Sequence, residues 1–255
     1  MTAPLFDLAT LQQHKQRTHP ETTRELLEAL DSNALLTDIL SDTVRAFPSA
    51  CLTHFGPYTP SHYLKGHYGI ESLYEHNELE IPFTHQINER FDLIISYFHL
   101  HWHNDVLQSL KNYYRLLKPN GLFISLFFGG YSLTELRQSL LKAESELTQQ
   151  AAPRISPTID VKDAGRLIQL AGFENPVSDL THMTVSYDHP LTLLKELKQL
   201  GETNALLQRT RQFMTRRLLH EACATYSQSF ADEDGRVPAT IDIITMTGWK
   251  PRNST

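Results

Sequence analysis

Histidines are the residues of this sequence whose types and spacing most directly suggest chemistry. Eight of the 13 histidines lie between residues 54 and 103, and three of them, His99, His101 and His103, alternate in the segment HLHWH. If a strand continues through this segment, the three imidazoles share one face and could bind a metal ion. Asp105 lies two residues further on, and two histidines with one carboxylate form a common iron site. The pattern by itself leaves metal binding open.

Glycines and polar residues near the ends of predicted elements give other candidates. The segment HFGPY, at residues 54–58, predicts either a remodelled ligand loop or an ordinary surface turn. Gly129 and Gly130 follow an apolar strand at the edge where open α/β sheets bind ligands, although plain turns also use glycine. Trp102 either forms an aromatic wall for a substrate or packs in the core. Arg137 either binds an acidic substrate or partner or lies on a solvated helix face.

The composition predicts a soluble globular protein and argues against several other classes. The chain has 255 residues and a net charge of −6, without a run of basic residues, which argues against a nucleic-acid-binding protein. Cys51 and Cys223 are the two cysteines, so we expect neither a disulfide framework nor a thiolate zinc site. The longest apolar run, Leu122–Phe128, is too short to span a membrane. The N-terminus lacks the pattern of a signal or transit peptide, so we expect a cytoplasmic protein.

Apolar runs of strand length alternate with segments of helical periodicity. FDLIISYF, from residue 91, predicts a strand buried on both faces, and Leu122–Phe128 predicts a second one. Between them, Asp105–Leu117 has the spacing of a helix, and Lys118–Gly121 predicts the turn that ends it. A strand, a helix and a strand in about 35 residues are typical of a parallel βαβ unit. Further helices are predicted within 20–46 and over 133–149, 160–170, 190–200 and 213–226, and further strands over 51–53, 175–187 and 239–249.

These elements predict an α/β protein with a doubly wound sheet. We expect residues 1–46 to form an N-terminal helical segment, residues 47–150 the α/β core, and residues 151–255 a mixed C-terminal lobe that completes the sheet and covers the cleft. Only 37 residues separate Thr53 from Phe91, whereas each βαβ crossover needs about 30 residues. The first half of the sheet is therefore expected to be truncated by one crossover.

A resemblance to class I methyltransferases, which share a Rossmann-like α/β fold, is carried by the segment FDLIISYFHLHWHNDVLQSLKNYYRLLKPNGLFISLFFGG. The chain further resembles the family of arginine-hydroxylase assembly factors of respiratory complex I. That resemblance is carried by LFDLATLQQHKQR, FGGYSLTELRQSLLKAE, ISPTIDVKDAGRLIQLAGF, LKELKQLGETNAL and DEDGRVPATIDIITMTGWK. The chain is similar, more distantly, to the malonyl carrier-protein methyltransferase of biotin synthesis. In the family, the LHW element is a strand end over the cofactor cleft, so we expect no metal site at these histidines.

The resemblance implies S-adenosylmethionine as the cofactor and a respiratory complex I subunit as the protein substrate or partner. The residues expected to bind the cofactor are Gly56, Asn77, His101 and Gly129, and those expected to bind the substrate or partner are Trp102, Arg137, Glu202 and Asn204. We take His101 and Asp105 as the catalytic candidates. The resemblance also implies a bacterial cytoplasmic location, with peripheral association at the inner membrane.

The first cofactor loop departs from the family pattern, which is DxGCGxG. The corresponding stretch is CLTHFGPYTP, in which Leu52 replaces the acidic residue and Gly56 is the glycine that is kept. His54 and Tyr58 replace glycines, and their side chains would occupy cofactor volume, so we expect an altered pocket. Asn77, in EHNELEIPF, stands where an aspartate meets adenine, and its amide can still donate or accept. The strand expected to be lost is the second one, whose terminal acid binds the ribose.

Three functions remain open from the sequence. A reshaped pocket could still bind S-adenosylmethionine or another cofactor and modify a protein side chain, which the kept LHW and GETN elements favour. The chain could instead be a non-catalytic pseudoenzyme that binds a partner, which the altered loop and the missing crossover favour. A weaker alternative is a carrier-protein O-methyltransferase, since one scaffold supports many chemistries.

Overall fold

The computed structural model describes residues 4–18, 26, 32–43, 45–56, 59–77, 90–149, 152–210 and 214–252. The helices within these ranges are α1 (Leu8–Gln16), α2 (Ser32–Ser41), α3 (Ser61–Leu64), α4 (Val106–Leu116), α5 (Thr134–Thr148), α6 (Val161–Leu170), α7 (Pro190–Gln199) and α8 (Arg216–Phe230). The strands are β1 (Ser49–His54), β2 (Ser72–Asn77), β3 (Phe91–Tyr97), β4 (Leu117–Gly129), β5 (Glu174–Tyr187) and β6 (Val237–Trp249). A 3₁₀ turn covers Leu100–Trp102.

The strands form one six-stranded sheet in the order β2-β1-β3-β4-β6-β5. β1 runs parallel to β2 on one side and to β3 on the other, and β3 runs parallel to β4. Parallel neighbours need a crossover connection, and α4 supplies the one between β3 and β4. The predicted α/β class and the predicted βαβ unit are therefore confirmed.

Apolar residues explain why β3 lies inside the sheet. All seven residues of β3 are buried, as expected for a strand that is covered on both faces. Leu110, Tyr113 and Leu116 lie three residues apart on one face of α4 and belong to the same core cluster. Tyr113 stacks on Phe123 of β4, with the ring centroids 5.2 Å apart. The helix is thus fixed to the sheet by its apolar stripe.

One prediction next to this unit is wrong. Lys118–Gly121, predicted as a turn, belongs to the start of β4, which follows α4 without a loop. The strand begins irregularly, because the pairing of β3 with β4 shifts register between Phe91 and Leu93. In addition, β3 does not continue through the histidines. Phe98 has a left-handed φ of 47°, which ends the extended conformation directly after the strand.

The predicted N-terminal helical segment is tested only in part. α2 confirms the helix at residues 32–41, whereas residues 19–31, with the exception of Leu26, lie outside the described residues. Pro57 and Tyr58 of the altered loop also lie outside them, as do residues 78–89.

The connection between β1 and β3 is short. Within the described ranges, one strand, β2, and one four-residue helix, α3, lie between them, as the residue count predicts. β2 pairs directly with β1, and His54 lies opposite Asn77 in that pairing. The position beside β1, where a strand was expected to be lost, is therefore occupied by β2.

The chain divides into two compact units, each built from separate stretches of sequence. Unit 1 comprises Met1–Leu30, Tyr131–Thr158 and His182–Asp242, and unit 2 comprises Asp31–Gly130, Ile159–Thr181 and Ile243–Thr255. α5 packs against α8 in unit 1, and unit 2 contains the parallel strands. The domain boundaries expected after residues 46 and 150 stay a prediction. None of the helices that the structure describes is long and apolar enough to cross a bilayer.

Gly129, at the end of β4, has no room for a side chain. A Cβ atom there would lie 2.4 Å from Ile244 Cδ1 and 2.7 Å from the carbonyl oxygen of Ile159. We expect Gly129→Ala to lower the free energy of unfolding by about 1 to 3 kcal/mol, the usual cost of overpacking a buried site. Urea denaturation with a two-state fit measures this loss.

Gly66→Ala is the comparison variant for this measurement. A Cβ atom at Gly66 meets no atom within 4 Å, and its left-handed φ of 81° is the source of strain. That strain costs roughly 1 kcal/mol. A smaller loss in Gly129→Ala than in Gly66→Ala would contradict the packing around Gly129.

Candidate functional site

Two residues predicted to bind the cofactor, Gly56 and Asn77, meet at the carboxyl ends of β1 and β2. The Gly56 N–H donates to Asn77 Oδ1 over 3.1 Å. Gly56 has a φ of 118°, a left-handed value that favours glycine. Ligands of parallel α/β sheets bind outside the carboxyl ends of the strands. The contact therefore lies where a cofactor loop is expected.

His54, the last residue of β1, turns onto the same loop. Its Nδ1 lies 3.0 Å from the carbonyl oxygen of Gly56, which can only accept, so Nδ1 carries the proton. Burial lowers the pKa of His54, which keeps the ring neutral near pH 7. Leu52 is fully buried inside β1. The loop thus has an imidazole and an alkyl group where the family pattern has a glycine and an acid.

A chain of buried hydrogen bonds joins β1, β3 and α4. His99 Nε2 lies 2.9 Å from Thr53 Oγ1 and 3.2 Å from Ser96 Oγ. His99 Nδ1 lies 3.0 Å from His103 Nε2, and His103 Nδ1 lies 2.6 Å from Ser109 Oγ. Burial lowers the pKa of His99 well below its ordinary value and that of His103 to about 3. Both imidazoles are therefore neutral.

The partners fix the direction of the protons along this chain. The Ser109 hydroxyl donates to the carbonyl oxygen of Asp105 over 3.0 Å, so the Ser109 oxygen accepts from His103 Nδ1. A neutral His103 then accepts from His99 Nδ1 through its own Nε2. His99 in turn accepts at Nε2 from a hydroxyl, that of Thr53 at 2.9 Å or that of Ser96 at 3.2 Å. The chain therefore holds each imidazole in one neutral tautomer.

His101 lies apart from this chain, so the three histidines do not share one face. β3 ends at Tyr97 and Leu100–Trp102 forms a 3₁₀ turn, so alternate residues no longer point the same way. The His101 ring packs against those of Trp102 and Phe128, at centroid distances of 5.3 and 5.5 Å. In the part of the chain that the structure describes, no three His, Cys, Asp or Glu side chains are arranged to hold a metal ion.

Three other predicted residues near this edge have evident structural contacts. Asp105 caps α4, because its Oδ1 accepts from the N–H of Gln108 over 2.8 Å. Trp102 is buried, as a core residue is. Gly129 is required by the close approach of Ile244. The catalytic role of Asp105, the substrate role of Trp102 and the cofactor role of Gly129 stay predictions.

In unit 1, Arg137 and Asn204 hold the same segment of chain, residues 153–156. Arg137 donates to the carbonyl oxygens of Ile155 and Ser156, over 3.3 and 3.0 Å. Asn204 Nδ2 donates to the carbonyl oxygen of Pro153 over 2.8 Å. Burial lowers the pKa of Arg137, so its guanidinium does not lie on a fully solvated helix face. The two predicted partner-binding residues are thus brought to one connection.

Glu202 forms a largely buried ion pair with Lys15 of α1. The Lys15 ammonium also donates to the carbonyl oxygen of Leu200 over 3.1 Å. These bonds join the turn after α7 to α1 within unit 1. The substrate role predicted for Glu202 stays a prediction beside this structural one.

An Asp–His pair in unit 1 has no counterpart among the predicted site residues. The side chain of Asp242, in β6, is 1% exposed and accepts from Nδ1 of His182, in β5, over 2.7 Å. The N–H of Tyr131 donates to the other carboxylate oxygen over 2.7 Å. The carboxylate fixes a proton on Nδ1 and orients the ring, whose side chain is 61% exposed.

Sequence signals for the overlooked residues were weak but present. Asp242 is a single acidic residue inside the apolar strand ATIDIITM, and a carboxylate in that setting needs a partner. Thr53 and Ser96 are hydroxyl residues inside apolar strands and need buried acceptors for the same reason. The sequence does not say which of the many histidines would meet them.

Comparison with known proteins identifies the family. Residues 66–125 match the family described as Methyltransferase domain. The arginine-hydroxylase NDUFAF5 of Danio rerio is 40% identical over 164 residues, which are 64% of this chain and 51% of that protein. The human arginine-hydroxylase NDUFAF5 is 31% identical over 266 residues, which are 97% of this chain and 77% of that protein. The chain belongs to the NDUFAF5 arginine-hydroxylase family.

The other comparisons agree with this family and with its fold. The chain spans about half the length of the Danio rerio family member, 51%. It is also 34% identical over 161 residues to the malonyl-[acyl-carrier protein] O-methyltransferase of Methylovorus sp., over 63% of this chain and 52% of that protein. A crystal structure from Bacillus halodurans C-125, assigned as a methyltransferase, has a TM-score of 0.54 at 15% identity, over 85% of this chain and 98% of that one. The predicted methyltransferase-like fold and both resemblances are confirmed.

The two buried imidazoles predict how stability depends on pH. In the unfolded chain a histidine binds a proton near its ordinary pKa of 6.5, whereas His103 in the folded chain does so only near 3. The unfolded state therefore binds more protons in this window, and the free energy of unfolding falls as pH is lowered from 6.5 towards 3. Each buried imidazole contributes a slope of up to about 1.4 kcal/mol per pH unit.

His103→Gln tests this prediction by urea denaturation at a series of pH values. The variant removes one titrating group, so its slope is expected to be smaller by up to about 1.4 kcal/mol per pH unit, whatever its stability at pH 7. His62→Gln is the control, because His62 is exposed on α3. A slope that is equal in wild type and His103→Gln would show that His103 is not held neutral.

Proposed function

We propose that this protein modifies a side chain of a respiratory complex I subunit during assembly. The proposal places its cofactor site at the carboxyl ends of β1 and β2. The observation that carries it is the hydrogen bond between the Gly56 N–H and Asn77 Oδ1, which joins two of the predicted cofactor residues. The membership of the NDUFAF5 arginine-hydroxylase family supports action on a protein side chain.

The residues at this edge of the sheet keep some of the contacts that a nucleoside ligand needs and lack others. Asn77 Oδ1 accepts from the Gly56 N–H, which leaves the Asn77 side-chain NH₂ as a donor for polar ligand atoms. Leu52 is a buried alkyl side chain at the acidic position of the family loop, so a carboxylate contact is not available there. S-adenosylmethionine supplies an electrophilic methyl group when it is bound. The chain's own part is to bind and orient the cofactor through Gly56 and Asn77.

The buried chain of imidazoles would support this site. Thr53 immediately precedes His54 in β1, and His99 lies two residues after the end of β3, so both lie at the carboxyl ends of parallel strands. Their hydrogen bond keeps these strand ends at a fixed separation. In the proposal, His101 remains the catalytic candidate on the 3₁₀ turn that follows. Asp105 helps to position that turn, because it caps the next helix.

A second candidate function is partner binding without catalysis, and the edge of the sheet favours it. β5 is last in the strand order, so one of its edges has no neighbouring strand among the described residues. Val177, in that strand, is 57% exposed, and Leu180 is exposed as well. An exposed edge strand with apolar side chains can accept a strand from a partner. The same complex I subunit would be the partner in this case.

We also propose where the protein works. A complex I subunit reaches its place at the inner membrane, so a bacterial cytoplasmic protein with peripheral membrane association fits both candidate functions. Recognition would involve Arg137, Glu202 and Asn204 through the surface that they stabilise in unit 1. The net charge of −6 gives no support for nucleic acid as a partner.

Calorimetric titration with S-adenosylmethionine tests the enzymatic proposal. We expect a dissociation constant at or below about 100 μM, which is a free energy near −5.5 kcal/mol. Asn77→Ala is expected to weaken binding by about tenfold, because it removes the amide partner of the ligand. Asn112→Ala, which alters an amide on the surface of α4, is the matched control. No heat with millimolar ligand would contradict the cofactor site.

Co-purification with complex I subunits, identified by mass spectrometry, tests the partner-binding candidate. Val177→Lys is expected to abolish recovery of the subunit, because a charge on the exposed edge blocks strand addition. Leu141→Lys, at an exposed apolar residue on α5, is the control and should retain the subunit. Equal recovery with both variants would exclude β5 as the binding edge. The binding of S-adenosylmethionine is measured on the same samples, so the two candidates are separated.

A further inference from the structure

A cavity of about 350 Å³ in unit 1 lies apart from every residue of the proposed cofactor site. It is bounded by the start of α7 and by one face of α8, and its lining includes His189, Leu191, Arg216, Leu219, His220 and Cys223. The α8 residues recur at helical spacing, which places them on one side of that helix. The volume is within the lower range of small-molecule pockets.

The residues that line this cavity include a cation but no anion. Arg216 and His220 lie one turn apart on α8, and no carboxylate is among the residues that line the cavity. Arg216 forms no ion pair within the described ranges. His189 Nδ1 accepts from the N–H of Leu191 over 3.1 Å, so the proton of its neutral ring is on Nε2 and can be donated. The cavity therefore offers the Arg216 cation and the His189 donor, together with the Ser227 hydroxyl, which can donate or accept.

Apart from the Ser227 hydroxyl, the rest of the lining is apolar. Leu191 and Leu219 contribute alkyl side chains, and Ala224 adds a small one. Cys223 is buried, and burial raises the pKa of its thiol, so it is a neutral thiol near pH 7. A ligand for this cavity needs an anionic end and a hydrocarbon end.

We propose that this cavity binds the carboxylate of a small amphiphilic acid, such as a medium-chain fatty acid, with Arg216 and His220 at the carboxylate and Leu219 and Cys223 at the hydrocarbon tail. A planar guanidinium binds a carboxylate through two parallel hydrogen bonds, which gives the head group a defined position. Apolar area around the tail supplies the remaining binding free energy. The site is independent of the function proposed above.

Titration of the full chain with octanoate tests the proposal. We expect saturable binding, and we expect butanoate and octylammonium to bind at least about tenfold more weakly, because one lacks the tail and the other has the opposite charge. Arg216→Gln should weaken octanoate binding by at least about tenfold. Arg217→Gln, the neighbouring arginine that does not line the cavity, should leave it unchanged. Equal binding of octanoate and octylammonium, or equal affinity in both variants, would overturn the proposal.

Alkylation of Cys223 by iodoacetamide gives a second readout on the unaltered protein. Octanoate is expected to slow the modification of Cys223 severalfold, because its tail covers the thiol. Cys51 serves as an internal reference, since it is buried in the core and its pKa is raised to about 12. Peptide mass spectrometry separates the two sites. Octanoate at saturation that leaves the Cys223 rate unchanged would place the bound acid elsewhere and overturn the proposal.

Discussion

The hydrogen bond between His99 and His103 joins two neutral imidazoles in the core, and much of unit 2 depends on it. Both rings are buried, so each nitrogen needs a partner or costs the desolvation of a polar group. Thr53 supplies the partner from β1, and Ser109 supplies it from α4. The bonds therefore fix the end of one strand, the turn after another and the first turn of a helix together. That is the region in which α/β sheets bind ligands.

The short connection between β1 and β3 decides what that region contains. Only one strand, β2, is described between them, and it pairs directly with β1. The pairing brings Asn77 opposite His54, so the amide reaches the N–H of Gly56. A longer connection would place further backbone at this edge. The altered loop after β1 and the short connection between β1 and β3 both lie at the carboxyl ends of β1 and β2. In this proposal the cofactor site is therefore reshaped rather than lost.

Unit 1 uses its predicted ligand-binding residues to hold its own chain. Arg137 and Asn204 bind backbone carbonyl groups of residues 153–156, and Glu202 pairs with Lys15. Each bond satisfies a polar group within the unit, and the pair of Glu202 with Lys15 is largely buried. The polar groups that remain directed outward are different ones, among them the His182 imidazole that Asp242 orients. The residue types showed which positions carry polar side chains. The fold decided which partner each of those side chains meets.

The sequence by itself determined the apolar elements and the family. FDLIISYF and the periodic segment after Asp105 predict a buried strand and a helix because burial and helical spacing are local properties of the chain. The count of residues before Phe91 predicted a short connection between β1 and β3, because each crossover needs a minimum length of chain. Tertiary structure alone decided that His99 pairs with His103 while His101 packs on Phe128, since one left-handed residue, Phe98, ends the alternation. It also decided that Gly56 meets Asn77, because a contact between residues that are distant in sequence depends on which strands become neighbours.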